Sequence, residues 1–507
     1  MIPGASAYFY RMIKPLVPHT RSTSTRSLYS ELSRIRMEVI EEGDRIFQVW
    51  KPSIRRSVFL PSAMNLAHFI ALRRMDLREI QAQLMIMGLS SLGHCESHVL
   101  SNIDAIMAML SHSVKGSRSP ARPTAAEFLR GWNRLSREAG RVLGPQRTNR
   151  RVRIMATMPA EAAGDAKLVG ALIAEGMELA RINCAHGDRD EWKAMIRNIR
   201  AAERMSGKKC RVFMDLAGPK LRTDEILSHP QHRIRVGDHL VMAAHNDGAR
   251  FSGVAFTCTC QEVFALLKAG SEVWIDDGVL GCKVEEIHPM GALLRVFHAP
   301  KDGKRIKPDK GVNFPGLVLP IRSLTDKDRK DLDFVAGIAD VIGFSFVQSA
   351  EDVADLQKEI ALRMPAGATA PPIVAKIETQ NAVRNLPEIM VRGAGRGNFG
   401  VMIARGDLAV EIGYLRLAEI QEEILWLAES ADVPVIWATQ VLEKMTREGV
   451  HSRAELTDAV MGERAECVML NKGEHLVDAV ATLSRILENH ESNQQKKIQR
   501  LRALKSW

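Results

Sequence analysis

Short apolar, β-branched runs alternate with longer stretches of helical periodicity over residues 151–489. The predicted strands lie near 152–158, 179–183, 211–216, 341–347, 373–378, 400–405, 433–439 and 467–471. The predicted helices lie near 165–175, 190–206, 325–337, 351–362, 380–391, 416–430, 453–463 and 476–489. Strand-then-helix units repeated in this way predict an α/β fold, a (β/α)8 TIM barrel, whose functional side chains lie at the C-terminal ends of the strands.

One interval interrupts this alternation. Over residues 220–313 the pattern becomes strand-like, as in RIRVGDHLVM and ALLRVFHAP, with Gly and Asp turns between the runs. It predicts a small all-β domain inserted after the third strand, which divides the barrel into 151–219 and 314–490. Because such an insertion overhangs the active-site face, we expect it to act as a lid. A solubilising insertion without a catalytic part is the alternative.

An α-helical N-terminal extension precedes the barrel. Apolar residues recur at helical spacing over 65–110, and Gly88 and Gly93 mark a break between two helices. One further helix, near 125–142, follows a Ser/Pro/Arg linker near 111–125. We predict a helical domain over 61–145, preceded by a poorly ordered or loosely packed segment over 1–60. The helical hairpin is weak evidence for DNA binding, since most such hairpins are packing units.

Charge is distributed unevenly along the chain. The net charge is +10, yet residues 1–150 hold 22 Lys and Arg against 11 Asp and Glu, whereas the remainder holds 48 against 49. Because aromatic residues are not interleaved with the basic ones, a solvated charged face is favoured over a nucleic-acid surface. A second basic stretch forms the C-terminal tail, 491–507. The first 30 residues contain no acid, which is typical of transit peptides, although we favour a disordered start.

The cysteines and the hydropathy bear on the compartment. Seven cysteines are dispersed without a CxxC pair, which predicts a reducing compartment, no disulfide framework and no zinc site. No apolar run reaches the ~20 residues that a membrane span needs. We therefore expect a cytoplasmic protein without a membrane partner, and the acid-free N-terminus leaves organellar targeting open.

Two of the predicted strands end in charged residues. In IVAKIE, 373–378, Lys376 and Glu378 stand two positions apart, so that alternation along the strand puts both on one face. In IARGDLA, 403–409, Gly406 breaks the strand and Asp407 follows. This combination favours a divalent metal beside a phosphate, because Mg²⁺ takes one or two carboxylates together with substrate oxygens. An ion pair of Lys376 with Glu378 or Asp407 is the structural alternative.

An ordered set of motifs resembles the pyruvate kinase family over about 151–489. The set comprises ARINCAHGD (180–188), FMDLAGPKLRT (213–223), VWIDDGVLG (273–281), DKGVNFPG (309–316), VIGFSFV (341–347), VAKIET (374–379), IARGDLAVEI (403–412) and WATQVLEKM (437–445). Their order, their spacing and the place of the insertion agree with the barrel and lid domain of that family. The resemblance implies a glycolytic phosphotransferase that converts phosphoenolpyruvate and ADP to pyruvate and ATP, with Mg²⁺ or Mn²⁺ as the cofactor.

Carried over by position, the resemblance implies roles for the charged residues. Glu378 and Asp407 would hold the metal. Lys376 would stabilise the phosphoryl group during transfer, since a loose transition state depends on positioning and charge. Arg181 and Arg222 would contact phosphate oxygens.

The resemblance also implies a nucleotide side and a carboxylate site. Asn183, His186 and Lys310 would lie on the nucleotide side. The backbone amides of Gly406 and of the residue after it would receive the substrate carboxylate. Thr439 would lie near the carbon that gains a proton. Two structural alternatives remain open: His186 caps a helix, and Thr439 satisfies a backbone group.

The chain departs from the potassium-binding pattern of many family members. The usual serine ligand is Ala185 here, and Lys220 stands where members that work without potassium carry a lysine. An ammonium on a flexible stem can occupy a monovalent-cation site. We therefore predict that Lys220 replaces potassium, with Asp215 as its partner, so that K⁺ is not required. A solvated surface position is the alternative for Lys220. For Arg222, the structural alternative to a phosphate contact is a pair with Asp215.

Other departures bear on activity and control. Ala409 replaces a usual glycine, and NKGEH, 471–475, stands where the family has Ser-Gly-Glu-Thr. We expect the chain to lack the family's C-terminal domain and its ordinary allosteric control, with homo-oligomer formation left open. Two other functions are weighed: a lyase or aldolase on a related barrel, which binds no nucleotide, and a degenerate barrel that binds a metabolite without catalysis.

Overall fold

The computed structural model of this chain describes residues 24–114, 120–246, 252–317, 319, 321–491, 494–496 and 498–499. Its α-helices are α1 (Thr25–Trp50), α2 (Leu60–Arg73), α3 (Arg78–Ile86), α4 (Val99–Ser111), α5 (Ala125–Phe128), α6 (Arg130–Leu143), α7 (Ala166–Glu175), α8 (Arg189–Ser206), α9 (Asp326–Ile338), α10 (Ala350–Arg363), α11 (Gln380–Arg384), α12 (Leu386–Ala394), α13 (Arg405–Ile412), α14 (Tyr414–Ser430), α15 (Glu443–Glu448), α16 (Arg453–Met461) and α17 (Leu476–Glu491).

Its strands are β1 (Arg153–Thr157), β2 (Leu179–Asn183), β3 (Arg211–Asp215), β4 (Thr223–Ser228), β5 (His239–Ala243), β6 (Val254–Cys258), β7 (Glu272–Ile275), β8 (Leu280–His288), β9 (Gly291–His298), β10 (Val312–Asn313), β11 (Val341–Phe344), β12 (Ile373–Ile377), β13 (Phe399–Ala404), β14 (Val435–Ala438), β15 (Cys467–Leu470), β16 (Gln494–Gln495) and β17 (Ile498–Gln499). One compact unit holds the described residues up to Ser136 together with Glu429–Asp432, and a second unit holds the rest.

The first unit begins with the long helix α1. The Ser24 side chain accepts a hydrogen bond from Ser27 N at 3.2 Å, which is a typical N-cap. Leu28, Leu32 and Ile35 are buried along one face, and α1 packs against α2 and α4. The prediction of a poorly ordered or loosely packed segment is therefore wrong for residues 24–60. The buried apolar face of α1 was not recognised in the sequence because charged residues lie between its apolar positions. Residues 1–23 of that prediction lie outside the described residues.

The rest of this unit contains more breaks than expected. The stretch 65–110, predicted as two helices, holds the end of α2 together with α3 and α4. The additional break precedes α3, where Asp76 Oδ1 accepts a hydrogen bond from Arg78 N at 3.2 Å. The break predicted at Gly88 and Gly93 is present between α3 and α4. Residues 115–119 of the predicted linker lie outside the described residues.

The second unit is built on a barrel. In the described part of the chain, eight parallel strands close in the order β1, β2, β3, β11, β12, β13, β14 and β15, so the predicted (β/α)8 fold is confirmed. Val142 and Leu143, at the end of α6, pack among buried residues of the barrel strands, such as Leu179 at the start of β2 and Phe213 in β3. This apolar packing fills the N-terminal end of the barrel, and the C-terminal strand ends remain available for a site.

The predicted all-β insertion is also confirmed. Between Thr223 and Asn313, leaving aside 247–251, seven strands form a second sheet in the order β10, β7, β8, β9, β5, β6 and β4. It has its own apolar core, with Met242, Phe256 and Leu294 fully buried. The insertion leaves the barrel after β3, and the chain returns to the barrel through β10 and α9.

The structure also bears on the expectations about membrane spans and cysteines. Within the described ranges, no helix combines the length and the hydropathy that a membrane crossing requires. All seven cysteines are buried as free thiols.

Candidate active site

The C-terminal ends of the barrel strands surround a cavity of about 660 Å³. This volume is in the usual range for small-molecule sites. Of the twelve predicted site residues, ten line it: Arg181, Asn183, His186, Lys220, Arg222, Lys376, Glu378, Gly406, Asp407 and Thr439. Asp215 and Lys310 are not among the lining residues.

Lys376 lies at the centre of a buried network. Its Nζ donates to Ser345 Oγ at 2.8 Å and lies 3.2 Å from Glu378 Oε1 and 3.4 Å from Asp215 Oδ2. Burial would lower the pKa of Lys376, but the two carboxylates outweigh it and raise that pKa. The side chain is therefore a fixed ammonium at neutral pH. The ion pair with Glu378, considered as a structural alternative, is present, and it holds Lys376 at the cavity wall.

Asp215 pairs with residues other than the predicted one. Its Oδ2 accepts hydrogen bonds from Arg181 Nη2 at 2.6 Å and from Arg181 Nε at 2.8 Å. Burial would raise the pKa of Asp215, but Lys376 and Arg181 outweigh it and lower that pKa. The predicted pair of Asp215 with Lys220 is wrong, because β2 and β3 are adjacent and bring Arg181 to Asp215. The alternative pair of Asp215 with Arg222 is also wrong, since Arg222 pairs with a residue of the insertion.

Lys220 joins the barrel to the insertion. Its Nζ lies 2.9 Å from Asp407 Oδ1 on α13 and 3.2 Å from Asp277 Oδ1 in the turn between β7 and β8. Burial would lower the pKa of Lys220, but Asp407 and Asp277 outweigh it and raise that pKa. The solvated alternative is wrong, because the Lys220 side chain is only 24% exposed.

Glu378 and Asp407 are the candidate metal ligands. Burial raises the pKa of Glu378, Lys376 opposes the rise, and the charge of Asp407 adds to it. This repulsion means that the two carboxylates are close enough to interact, so a cation between them would relieve it. Two hard oxygen ligands suit Mg²⁺, which keeps water and substrate oxygens in its remaining positions. Among the described residues no cluster of three or more His, Cys, Asp or Glu could hold a metal ion. Glu378 and Asp407 would supply two oxygen ligands, which fits an ion whose other ligands come from substrate and water.

The start of α13 is linked to Thr439. Gly406 N donates a hydrogen bond to Thr439 Oγ1 at 2.8 Å, so the alternative in which Thr439 satisfies a backbone group is realised. The Gly406 amide, predicted for the substrate carboxylate, is already paired here. A carboxylate would have to share or replace this hydrogen bond.

The predicted nucleotide side is only partly assembled. Burial, followed by the charges of Lys472 and Arg222, lowers the pKa of His186. Asp188, and not His186, caps α8 with its side chain, so the helix-cap alternative for His186 is wrong. Asn183 Oδ1 accepts a hydrogen bond from Ala185 N at 3.2 Å.

Arg222, predicted to contact phosphate, and Lys310, predicted for the nucleotide side, both pair with aspartates of the insertion. Arg222 Nη1 donates to Asp309 O at 3.0 Å and lies 3.2 Å from Asp309 Oδ1. Lys310 Nζ lies 3.3 Å from Asp276 Oδ1 and outside the set of lining residues, so the structure does not bring it to the cavity.

Several residues that contribute to this site had no role assigned from the sequence; one of them, Ser345, was expected only as a polar residue at a strand end. Ser345 Oγ donates a hydrogen bond to Leu216 O at 2.7 Å and accepts one from Lys376 Nζ, so it orients the ammonium. The end of the strand VIGFSF was the available signal. Asp277 and Lys472 also line the cavity, and neither had a sequence signal beyond its motif.

Comparison with known proteins places this geometry in a family. A family model described as the pyruvate kinase barrel domain matches residues 149–478. This chain belongs to the pyruvate kinase family. A pyruvate kinase of Methylorubrum extorquens is 33% identical over 356 residues, covering 68% of this chain and 69% of the relative. A pyruvate kinase of Clostridium perfringens is 31% identical over 327 residues, covering 63% and 66%.

A solved structure supports the same fold. The crystal structure of a pyruvate kinase from Cryptosporidium parvum matches with a TM-score of 0.60 and 28% sequence identity, over 70% of this chain and 72% of that one. The pyruvate kinase barrel matched in these comparisons contains the strand ends that surround the cavity.

Proposed function

We propose that this chain transfers the phosphoryl group of phosphoenolpyruvate to ADP in glycolysis, giving pyruvate and ATP, with Mg²⁺ or Mn²⁺. Membership of the pyruvate kinase family supports a transferase role of this kind. The observation that carries the finer proposal is the convergence of Lys376, Glu378 and Asp407 in one cavity. A buried ammonium beside two candidate metal carboxylates can stabilise the charge that develops in phosphoryl transfer.

Lys376 supplies charge where the phosphoryl group moves. In a loose transition state the equatorial oxygens carry the negative charge, so a fixed cation lowers the barrier without having to reorganise. Ser345 and Asp215 hold the ammonium in place. Arg181 lines the cavity and is held by Asp215, so it presents a second fixed cation to phosphate oxygens.

Glu378 and Asp407 would hold the metal. When bound, the metal supplies a Lewis acid that neutralises charge on the substrate oxygens. In the described structure Glu378 Oε1 pairs with Lys376 and Asp407 Oδ1 pairs with Lys220, and these ammonium groups offset part of the repulsion between the two carboxylates. Thr439 then serves the last step, in which the enolate carbon gains a proton.

Potassium independence is also part of the proposal. Lys220 places an ammonium between Asp407 and Asp277, where it supplies fixed positive charge next to the candidate metal ligand. Ala185 removes a side-chain oxygen that a potassium ion would use. The partner of Lys220 is thus Asp407 and not Asp215, and the role of a built-in cation is retained.

A coupled assay tests these points together. Pyruvate formation is measured with phosphoenolpyruvate and ADP in potassium-free buffer, with and without Mg²⁺. Turnover that needs both ADP and Mg²⁺ supports the proposal, and a steep rise on adding potassium refutes the role of Lys220. Turnover of phosphoenolpyruvate without ADP would indicate a lyase or aldolase. Saturable binding without turnover would indicate a metabolite-binding barrel.

A further inference from the structure

The turn after β14 has a backbone conformation that side-chain-bearing residues rarely adopt. Thr439, Gln440 and Leu442 have φ values of 65°, 56° and 46°, in the left-handed region that Cβ atoms disfavour. Such residues persist only where surrounding contacts hold them, and they cluster at functional sites. Because this turn carries the Thr439 hydroxyl to the cavity, whatever holds the turn also fixes the hydroxyl.

Arg405 provides these contacts. Its Nε donates to Ala438 O at 3.0 Å and its Nη2 to Thr439 O at 2.5 Å. The carboxylate of Asp458 on α16 accepts from Nη1 at 2.5 Å and from Nη2 at 2.8 Å. The guanidinium carbon lies 4.5 Å from the centroid of the Trp437 ring. Only 6% of Arg405 is exposed. The Asp458 carboxylate and the Trp437 ring hold its guanidinium, which donates hydrogen bonds to both carbonyls at the start of the turn.

The next residue along α13 orients the hydroxyl itself. Gly406 N donates to Thr439 Oγ1 at 2.8 Å, so this oxygen is an acceptor in that hydrogen bond. The hydroxyl proton therefore points away from the amide and remains available for donation. A hydrogen bond donated to an oxygen also stabilises its deprotonated form. The Thr439 hydroxyl can thus donate its proton, and the alkoxide that remains would be stabilised by the hydrogen bond from Gly406 N.

We propose that Arg405 is a positioning residue for proton transfer: it holds the left-handed turn so that the Thr439 hydroxyl stays on the Gly406 amide with its proton toward the cavity. The inference rests on the proposed function. In the proton-transfer step the Thr439 O–H bond breaks, and the electron pair of the enolate carbon–carbon double bond forms the new C–H bond. The enolate oxygen becomes the carbonyl of pyruvate, and the threonine alkoxide takes a proton from water, which leaves as hydroxide.

Amide hydrogen exchange tests whether Arg405 holds the turn, and it does not depend on catalytic turnover. In Arg405→Lys the guanidinium that donates to two backbone carbonyls is lost. The amide hydrogens of residues 437–446 should therefore exchange with solvent about tenfold faster or more. Arg153→Lys is the matched control. Arg153 is 3% exposed and also donates to a backbone carbonyl, Gly144 O, at the opposite end of the barrel. Its substitution should leave this segment unchanged. Unchanged exchange of 437–446 in Arg405→Lys would overturn the proposal.

A second readout separates proton transfer from phosphoryl transfer. ATP formation from phosphoenolpyruvate and ADP is compared with the exchange of pyruvate methyl hydrogens in heavy water, followed by NMR with Mg²⁺ and ATP. In Arg405→Lys the exchange should fall by about 10²-fold, the usual contribution of a positioned acid. ATP formation should fall much less. The ratio of methyl hydrogen exchange to ATP formation should therefore decrease, and it should decrease in Thr439→Val as well.

The outcomes are distinguishable. If ATP formation and exchange of the pyruvate methyl hydrogens fall in parallel in Arg405→Lys, as in a variant that is merely less stable, the proposal is contradicted. An unchanged rate of methyl hydrogen exchange also contradicts it. A parent without ATP formation refutes the proposed function, and the proton-transfer part of this inference with it. Hydrogen exchange of residues 437–446 then still decides whether Arg405 holds the turn.

Discussion

Replacing Lys376 by Met removes the buried ammonium at the centre of the cavity. Methionine has nearly the same length, so the change deletes charge with little change in volume. A unit charge about 4 Å from the phosphoryl oxygens, at an effective dielectric constant of about 20, contributes about 4 kcal/mol. If that charge acts in the transition state, kcat should fall by about 10³-fold.

The same substitution also disturbs the carboxylates around it. Asp215 keeps its two hydrogen bonds from Arg181, and Glu378 Oε2 still accepts a hydrogen bond from Phe346 N at 2.6 Å. The pKa of Glu378, already raised by burial, should rise further when Lys376 no longer opposes it. Weaker metal activation should therefore accompany the lower kcat.

The coupled assay at saturating Mg²⁺ separates the two effects, with Lys283→Met on the sheet of the insertion as the control. Lys283 Nζ has a long ion pair of 3.9 Å with Glu272, and its substitution should leave kcat unchanged. Thermal unfolding of each variant shows whether the fold is retained. A folded Lys376→Met variant whose kcat is within tenfold of the parent's would refute the assignment of Lys376.

Three other predictions concern neighbouring groups. Burial raises the pKa of Glu411 to about 7, so stability should fall as pH rises from the unfolded-state value toward 7. Glu411→Gln should then be more stable than the parent at pH 8, by up to about 3 kcal/mol in denaturant unfolding. Because the pKa of Glu378 is raised, protons compete with the metal, and Mn²⁺ affinity measured by electron paramagnetic resonance should increase with pH. In Gly343→Ala the new Cβ would lie 2.5 Å from a Phe213 ring carbon and 2.6 Å from Asp215 Oδ1, so unfolding should cost about 1–3 kcal/mol less.

Each of these has a clear contrary result. A Glu411→Gln variant with the same dependence of stability on pH as the parent would show that this carboxyl does not titrate as inferred. Mn²⁺ affinity independent of pH, or lost in Asp407→Asn but not in Glu378→Gln, would remove Glu378 from the metal site. A Gly343→Ala variant as stable as the parent would mean that β11 moves to accommodate the methyl group.

The barrel was predictable because its signal is local and repeated. Each strand is buried on both faces and reads as an apolar run, and each following helix shows its own periodicity, so the alternation survives small errors in the boundaries. The helix α1 was missed because its apolar stripe, with Leu28 and Leu32, is spread among charged residues. The extra break before α3 was missed because no Gly or Pro marks it.

The alternation of strands and helices, the place of the insertion and the strand-end residues could all be predicted, because strand periodicity and motif order are properties of neighbours along the chain. The strand-end residues are Lys376, Glu378 and Asp407. The side-chain pairings, in contrast, follow from the three-dimensional arrangement of the strands and helices. Asp215 pairs with Arg181 because adjacent strands bring them together, Lys220 reaches Asp407 across more than 180 residues, and Arg405 grips the turn at Thr439. Contacts of this kind depend on barrel closure and side-chain reach, which no local pattern encodes.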